Sequence, residues 1–285
     1  MLLDLPVIIG AAFGYLAVLF AVAYFGDKRA DAGRSIIAHP IVYALSLGVY
    51  CTTWTFYGSV GRAAASGIGF LPVYLGPTLV AALWGTIMLK MLRVSKTYRI
   101  TSIADLIASR YGKSQLLGGL VSLIAVIGIV PYIALQLKAI SNSFSILSAY
   151  PEVSSQAQAG VGMIFTDSGF FITLILAAFT IVFGTRHLDA TERHEGMVAA
   201  VAFESVVKLV AFTAVGAFVT WGIYDGFDDI FRRAAELPSL AALMTSRDTA
   251  AAYGSWTALT VLSMSAVMFL PRQFQITVVE NVDES

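Results

Sequence analysis

Apolar residues run through the chain in stretches of membrane-spanning length, separated by shorter polar segments. Crossing ~30 Å of hydrocarbon takes about 20 mostly apolar residues per helix. Seven stretches meet that length: residues 5–25, 37–60, 70–92, 115–148, 168–185, 196–223 and 254–270. A β-barrel would show alternating segments of ~10 residues instead, and the sequence carries no such alternation. The pattern predicts an all-α integral membrane protein with about seven transmembrane helices, forming one transmembrane domain over residues 1–285 with the lipid bilayer as its surroundings.

Two connecting segments have helical periodicity of their own. Residues 93–114, RVSKTYRITSIADLIASRYGKS, place Ile103, Leu106 and Ile107 on one side of a helix that Thr101 or Ser102 can cap. This predicts an interfacial helix on the cytoplasmic surface. In residues 224–252, Ile230, Phe231, Leu237, Leu240 and Leu243 recur at helix-like spacing beside charges. One or two short helices on the outer surface are expected there.

Composition and charge sharpen this picture. The 285 residues are 58% hydrophobic and 13% charged, too apolar for a soluble domain of that size. The first apolar run has Asp4 in place of a basic start and is followed by GDKRADAGR, so it reads as a retained span rather than a cleaved leader. Formal net charge is zero and no long basic run occurs, which speaks against nucleic acid as a partner. Twelve Lys and Arg residues, from Lys28 to Arg272, fall in the loops of one side, and Arg62, Arg232, Arg233 and Arg247 in those of the other. The positive-inside rule then puts the amino terminus outside and Ser285 in the cytoplasm. With Cys51 as its single cysteine, the chain forms no intramolecular disulfide and no multi-cysteine metal site.

One stretch departs from ordinary span chemistry. ALSLGVYCTTWTFYGSVGRAAASGIGF, residues 44–70, starts as a membrane helix and then packs Thr52, Thr53 and Thr55 among aromatic residues, with Gly48, Gly58 and Gly61 nearby. Irregular backbone survives at membrane depth only when buried in protein or lining a wet cavity. Such a span is suited to break near its middle, where freed carbonyls and hydroxyls hold a cation or a small polar ligand. Small and hydroxyl residues also serve plain close packing of helices, and the pattern alone admits both readings.

Intramembrane charges are the other candidates. Glu204 and Lys208 lie four apart on the sixth span, share a helix face and can pair. A lone charge at mid-membrane costs roughly 2.5–3.5 kcal/mol on insertion scales, so the pair points into the bundle, as an ion or proton relay or as a structural pair. Lys138 in the fourth span either pairs with an acid or snorkels toward an interface. His187 and His194, flanking Asp189 and Glu192 beside Glu195, read as a solvated charged turn rather than a metal site. Gly10 and Gly14 form a GxxxG suited to close contact with a neighbouring helix. No nucleotide site, phosphate-binding glycine loop or nucleophile with its base appears.

Along nearly its whole length the sequence resembles the sodium/solute symporter family. The resemblance is carried by ALSLG entering the polar break, YLGP at 74–77, ITSIADLIASRYG at 100–112, YIALQLKAIS at 132–141, GTRHLDATE at 184–192 and PRQFQITVVEN at 271–281, in the family's order and spacing. It implies a LeuT-like fold, an extra first helix followed by an inverted repeat of five plus five helices. This chain would supply the extra helix, the first repeat and the first helix of the second, and so looks truncated. The resemblance further implies Na+ as a cofactor, held by carbonyls near Val49 and Thr52, and substrate contacts at Cys51, Thr53 and Trp54. Cys51 stands about where carriers such as the proline symporter have an acidic residue, which weighs against tight sodium coupling. Arg272, Gln273 and Phe274, followed by valines, differ from those carriers in a region of gating.

The finer texture, VYCTTWTFYGSVGRAAASGIGFLPVYLGPTL with FLPRQFQITVVEN, is similar to the transporter-like input domains of CbrA-type bacterial sensor histidine kinases. That implies a solute-sensing input module in a bacterial inner membrane, taking an amino acid or similar small polar solute. Its partners would be a kinase region farther along the polypeptide and, through it, a response regulator. The alternatives are a stand-alone sodium-coupled symporter and a membrane domain serving as anchor and assembly platform. Any kinase chemistry would lie beyond Ser285.

Overall fold

The computed structural model describes residues 5–149, 169–171, 173–174, 177–178, 195–244 and 250–281. The expected span 168–185 falls largely outside these residues, as do Arg247, His187, Asp189, Glu192 and His194. All regular structure among the described residues is helical. Three helices are long and apolar enough to cross a membrane: Leu5–Asp31, Gln115–Ala149 and Glu195–Ile223. Two further crossings form if each bent pair is one span, Trp54–Phe70 with Pro72–Ala82 at 72° and Gly254–Phe269 with Pro271–Val279 at 48°. The chain is a multi-pass membrane protein, with three to five crossings among the described residues against the seven expected.

The expected span 168–185 is not among the crossings that can be counted, and the expected spans 37–60 and 70–92 are not continuous helices. Pro40–Ser46 is α-helical, tightens to a 3₁₀ turn over Leu47–Tyr50 and stops at Cys51, whose φ of −80° and ψ of 100° are extended. Helix resumes as a π turn over Trp54–Gly58 and an α-helix over Ser59–Ser66. Gly67 then turns the chain with a φ of 53°, and Pro72 opens the next helix, Pro72–Ala82, which Leu83 separates from Trp84–Tyr98. Proline in a first helical turn gives up only an N–H that would be unpaired there.

Close packing rests on three glycines. The helix Leu5–Asp31 lies along Glu195–Ala217, and the two meet at Gly26 and Gly196, where a Cβ on Gly196 would overlap the Ala23 carbonyl oxygen. Asp27 Oδ1 accepts from Gly196 N at 2.6 Å, which meets one of the unpaired N–H groups at a helix start. Pro72–Ala82 packs on Ala250–Phe269, with Gly76 against Ser263, whose hydroxyl donates to the Pro72 carbonyl at 2.9 Å. Gly10 and Gly14, by contrast, have no described atom within 4 Å of a built Cβ. The expected contact at that GxxxG is not made among the described residues; the first helix makes its close approach at Gly26 instead.

Residues 93–114 turn through Arg99 at a left-handed φ of 52° into the helix Ile103–Arg110. Ser102 is its cap: Asp105 N donates to Ser102 Oγ at 3.0 Å, and Thr101 N donates back to Asp105 Oδ2 at 3.3 Å, a reciprocal arrangement of the capping-box kind. The apolar side of this helix faces protein. Ile103 is buried with Met88, Leu92, Ile100, Phe274 and Val278, and Leu106 and Ile107 pack against them.

In residues 224–252 two short helices form, Phe227–Glu236 and Pro238–Leu243. Asp229 is buried and takes ion pairs from Arg232 at 2.5 Å and Arg233 at 2.9 Å. The hydrogen bond from Arg233 above all holds the Asp229 carboxyl below its usual range. A depressed folded pKa stabilises above the unfolded value, about 4 for Asp, and that contribution is lost as pH falls through the folded pKa. The protection of amides across residues 227–243, corrected for the intrinsic pH dependence of exchange, is therefore expected to be flat from neutral pH down to the carboxylate range and to fall below it. Asp229→Asn should be less protected at neutral pH and show no such fall; a fall retained in that variant would assign it to another group.

Candidate solute site at the helix break

The break at Cys51 and Thr52 falls inside the stretch whose threonines and glycines predict one, and the glycines are not what breaks it. Gly48 lets the first half approach the helix Glu195–Ala217, where a Cβ would overlap Ser205 Oγ. Gly58 makes room for the Trp54 ring, whose Cδ1 would lie 2.6 Å from a Cβ there. Nothing described lies within 4 Å of a Cβ on Gly61. The interruption is instead held from three neighbouring elements.

Lys208 Nζ donates to the Cys51 carbonyl at 2.8 Å and pairs with Glu204 Oε1 at 2.7 Å. Thr52 Oγ1 and Tyr132 Oη share a hydrogen bond of 2.5 Å, which ties the break to the long helix Gln115–Ala149. Arg272, from the bent end of the last described span, sits with its guanidinium carbon 4.8 Å from the centre of the Tyr132 ring. This is cation–π distance. On the far side of the break, Ser59 Oγ donates to the Thr55 carbonyl and accepts from Tyr74 Oη at 2.8 Å. Asn142 Nδ2 donates to Tyr57 Oη at 2.8 Å. Both halves of the interrupted helix are thus anchored.

The residues expected from sequence are distributed around this point. Cys51, Thr53 and Trp54 are all half-buried, and the Thr53 hydroxyl is buried with no hydrogen-bond partner among the described residues. Gln136 Nε2 and Arg272 Nε are in the same condition; Gln136 lies one helical turn from Tyr132, on the same face. The Val49 side chain packs with Val42 against Ile37, Val198 and Ile276. Thr52 O already accepts from Thr55 N at 2.9 Å. The Cys51 carbonyl is taken by the Lys208 ammonium, which occupies the place a cation would take at that oxygen. Lys138 is exposed and makes no ion pair among the described residues, so it does not join the site.

Sequence reading assigned no role to Tyr132 or Gln136 and did not connect Lys208 to Cys51. Tyr132 and Gln136 stand in YIALQLKAIS, directly after Pro131, an interior proline of the long helix. A proline at that depth removes a backbone donor and is the local signal that could have drawn attention to them. A separate cleft of about 540 Å³ lies between Val22, Phe25, Val42, Ala199 and Phe203. It is apolar and is not at the break.

Fold and site define a multi-pass helical membrane domain with an interrupted helix at its polar centre. Residues 31–146, which contain the break and Tyr132, match the sodium:solute symporter family. The chain is also similar to an uncharacterized symporter, YhjB, of Bacillus subtilis (strain 168), with 27% identity over 234 residues covering 78% of this chain. It spans 41% of that relative's length. No solved structure matches the chain.

Proposed function

We propose that this chain is a membrane domain of the sodium/solute symporter kind and that it binds a small polar solute, an amino acid or a similar molecule, at the break between Tyr50 and Trp54. The observation that carries the reading is the interrupted helix itself. Its Cys51 carbonyl and Thr52 hydroxyl are met from separate helices, while the Thr53 hydroxyl beside them is buried and has no partner among the described residues. A buried polar group without a partner costs about 1–3 kcal/mol, which a ligand hydrogen-bonded to Thr53 would offset. The match of residues 31–146 to the family supports the same conclusion. Cys51, Thr53 and Trp54 are the solute contacts in this reading.

Two uses of the bound solute are open to such a domain. In a transporter it is carried by alternating access, with helices rocking around the fixed site, and the name of the Bacillus subtilis relative, a symporter, favours this. In a sensor, the solute prefers one conformation and so biases a kinase region farther along the polypeptide, since equal affinity for both shifts nothing. The sequence texture of residues 49–79 and 269–281 favours this second use. In both, the domain sits in a bacterial inner membrane with its amino terminus outside and Ser285 cytoplasmic.

The test is solute titration of the purified full-length protein, read by isothermal titration calorimetry over a panel of amino acids. Thr52→Ala and Trp54→Ala should each weaken binding about tenfold, equivalent to ~1.4 kcal/mol, while the protein accumulates normally. Titration curves that match the parent for both variants would remove the site. Uptake into proteoliposomes then identifies a transporter, and a solute-dependent change in autophosphorylation a sensor.

A further inference from the structure

We infer that Lys208 is the resident cation of the helix break, so that this site does not draw on free sodium. The inference rests on reading the break as a solute site and concerns which ion serves it. A helix interrupted inside a membrane frees main-chain carbonyls that must be met by something, and in transporters with broken helices bound ions commonly do so. Here the Cys51 carbonyl is met by Lys208 Nζ at 2.8 Å, and the same ammonium holds Glu204 at 2.7 Å. Two of its three N–H donors are thereby engaged, and its charge is balanced within one turn of its own helix.

The placement is fixed by packing. Gly48 lies against Ser205, and Cys51 meets Lys208, so each contact pair is three residues beyond the other on both segments. The close approach at Gly48, where a Cβ would overlap Ser205 Oγ, sets the register that delivers the ammonium to the freed carbonyl. Two further oxygens at the break are also engaged: Thr52 O by Thr55 N at 2.9 Å, and Thr52 Oγ1 by Tyr132 at 2.5 Å. A tethered ammonium differs from a bound ion in two respects. Its occupancy does not depend on sodium concentration, and it cannot depart with a solute.

Sodium alone is the probe. Purified full-length protein in lipid nanodiscs is melted in NaCl or in choline chloride of equal concentration, with no solute present. The parent protein should melt at the same temperature in both salts. Glu204→Gln/Lys208→Met leaves the Cys51 carbonyl unmet and no lone charge in the membrane. It should gain a sodium-dependent rise of ~2 °C or more, because a ligand that binds the folded state alone raises its melting point. Sodium-specific stabilisation of the parent would overturn the inference, and so would a double variant that melts alike in both salts. Glu204→Gln/Lys208→Leu repeats the comparison if the first double variant does not accumulate. Since no solute is added, a negative outcome here leaves the solute reading standing, whereas failure of the titrations above would remove that reading by itself.

Discussion

Gly196→Ala is expected to loosen the first helix from the bundle, with a loss of about 1–3 kcal/mol, the range for overpacking a close contact. The new methyl would overlap the Ala23 carbonyl oxygen and crowd the Asp27 carboxylate. The first is backbone, so the helix Leu5–Asp31 has to move as a body, and the 2.6 Å bond from Gly196 N to Asp27 is lost with it. Gly10→Ala and Gly14→Ala are the controls. No described atom lies within 4 Å of a Cβ at either position, and surface changes of this kind usually stay within ~0.5 kcal/mol. Thermal unfolding of the three variants in one detergent checks the contrast. If the GxxxG variants fall as far as Gly196→Ala, the first helix is held by a contact other than the one described.

The second large effect is expected at Glu204 and Lys208, and it should be asymmetric. Lys208→Met strips the ammonium from two acceptors at once, leaving Glu204 alone and the Cys51 carbonyl unmet. The insertion cost of a lone mid-membrane charge, roughly 2.5–3.5 kcal/mol, sets the upper end of the loss. Both side chains are about a third exposed, at 37% and 35%, which places the realised loss lower. Glu204→Gln leaves Lys208 its bond to Cys51 and should cost less. Combining Glu204→Gln with Lys208→Met should recover part of the single-variant loss, because removing both partners is gentler than orphaning one. A double-mutant cycle of unfolding free energies reads the coupling directly. Additive losses of equal size would mean that the 2.7 Å pair contributes nothing to stability.

How far each feature was legible follows from its range along the chain. Apolar runs predicted the membrane class and the spans 5–25, 115–148 and 196–223, where helices run over Leu5–Asp31, Gln115–Ala149 and Glu195–Ile223, since span length is set by bilayer thickness and reads directly from composition. A cap at Thr101 or Ser102, which the structure assigns to Ser102, and the Glu204–Lys208 pair were equally legible, because each depends on residues three or four apart. The site was legible by half. Threonines and glycines at 48–61 marked a weak helix, while the location of its interruption and the fact that Gly48 and Gly58 serve packing came from contacts with Ser205 and Trp54.

What the sequence by itself determined is an all-helical membrane protein with an ion pair on one face and a polar, interruptible helix near residue 50. Local periodicity and the cost of charge in hydrocarbon suffice for that. Only the tertiary structure decided that Lys208 reaches the Cys51 carbonyl, 157 residues away in the chain, that Tyr132 takes the Thr52 hydroxyl from 80 residues away, and that Gly196 rather than Gly10 or Gly14 carries the first helix. Such contacts depend on how helices far apart in sequence are set against one another. That setting is fixed by the summed fit of many side chains and glycine clefts, which no local pattern records.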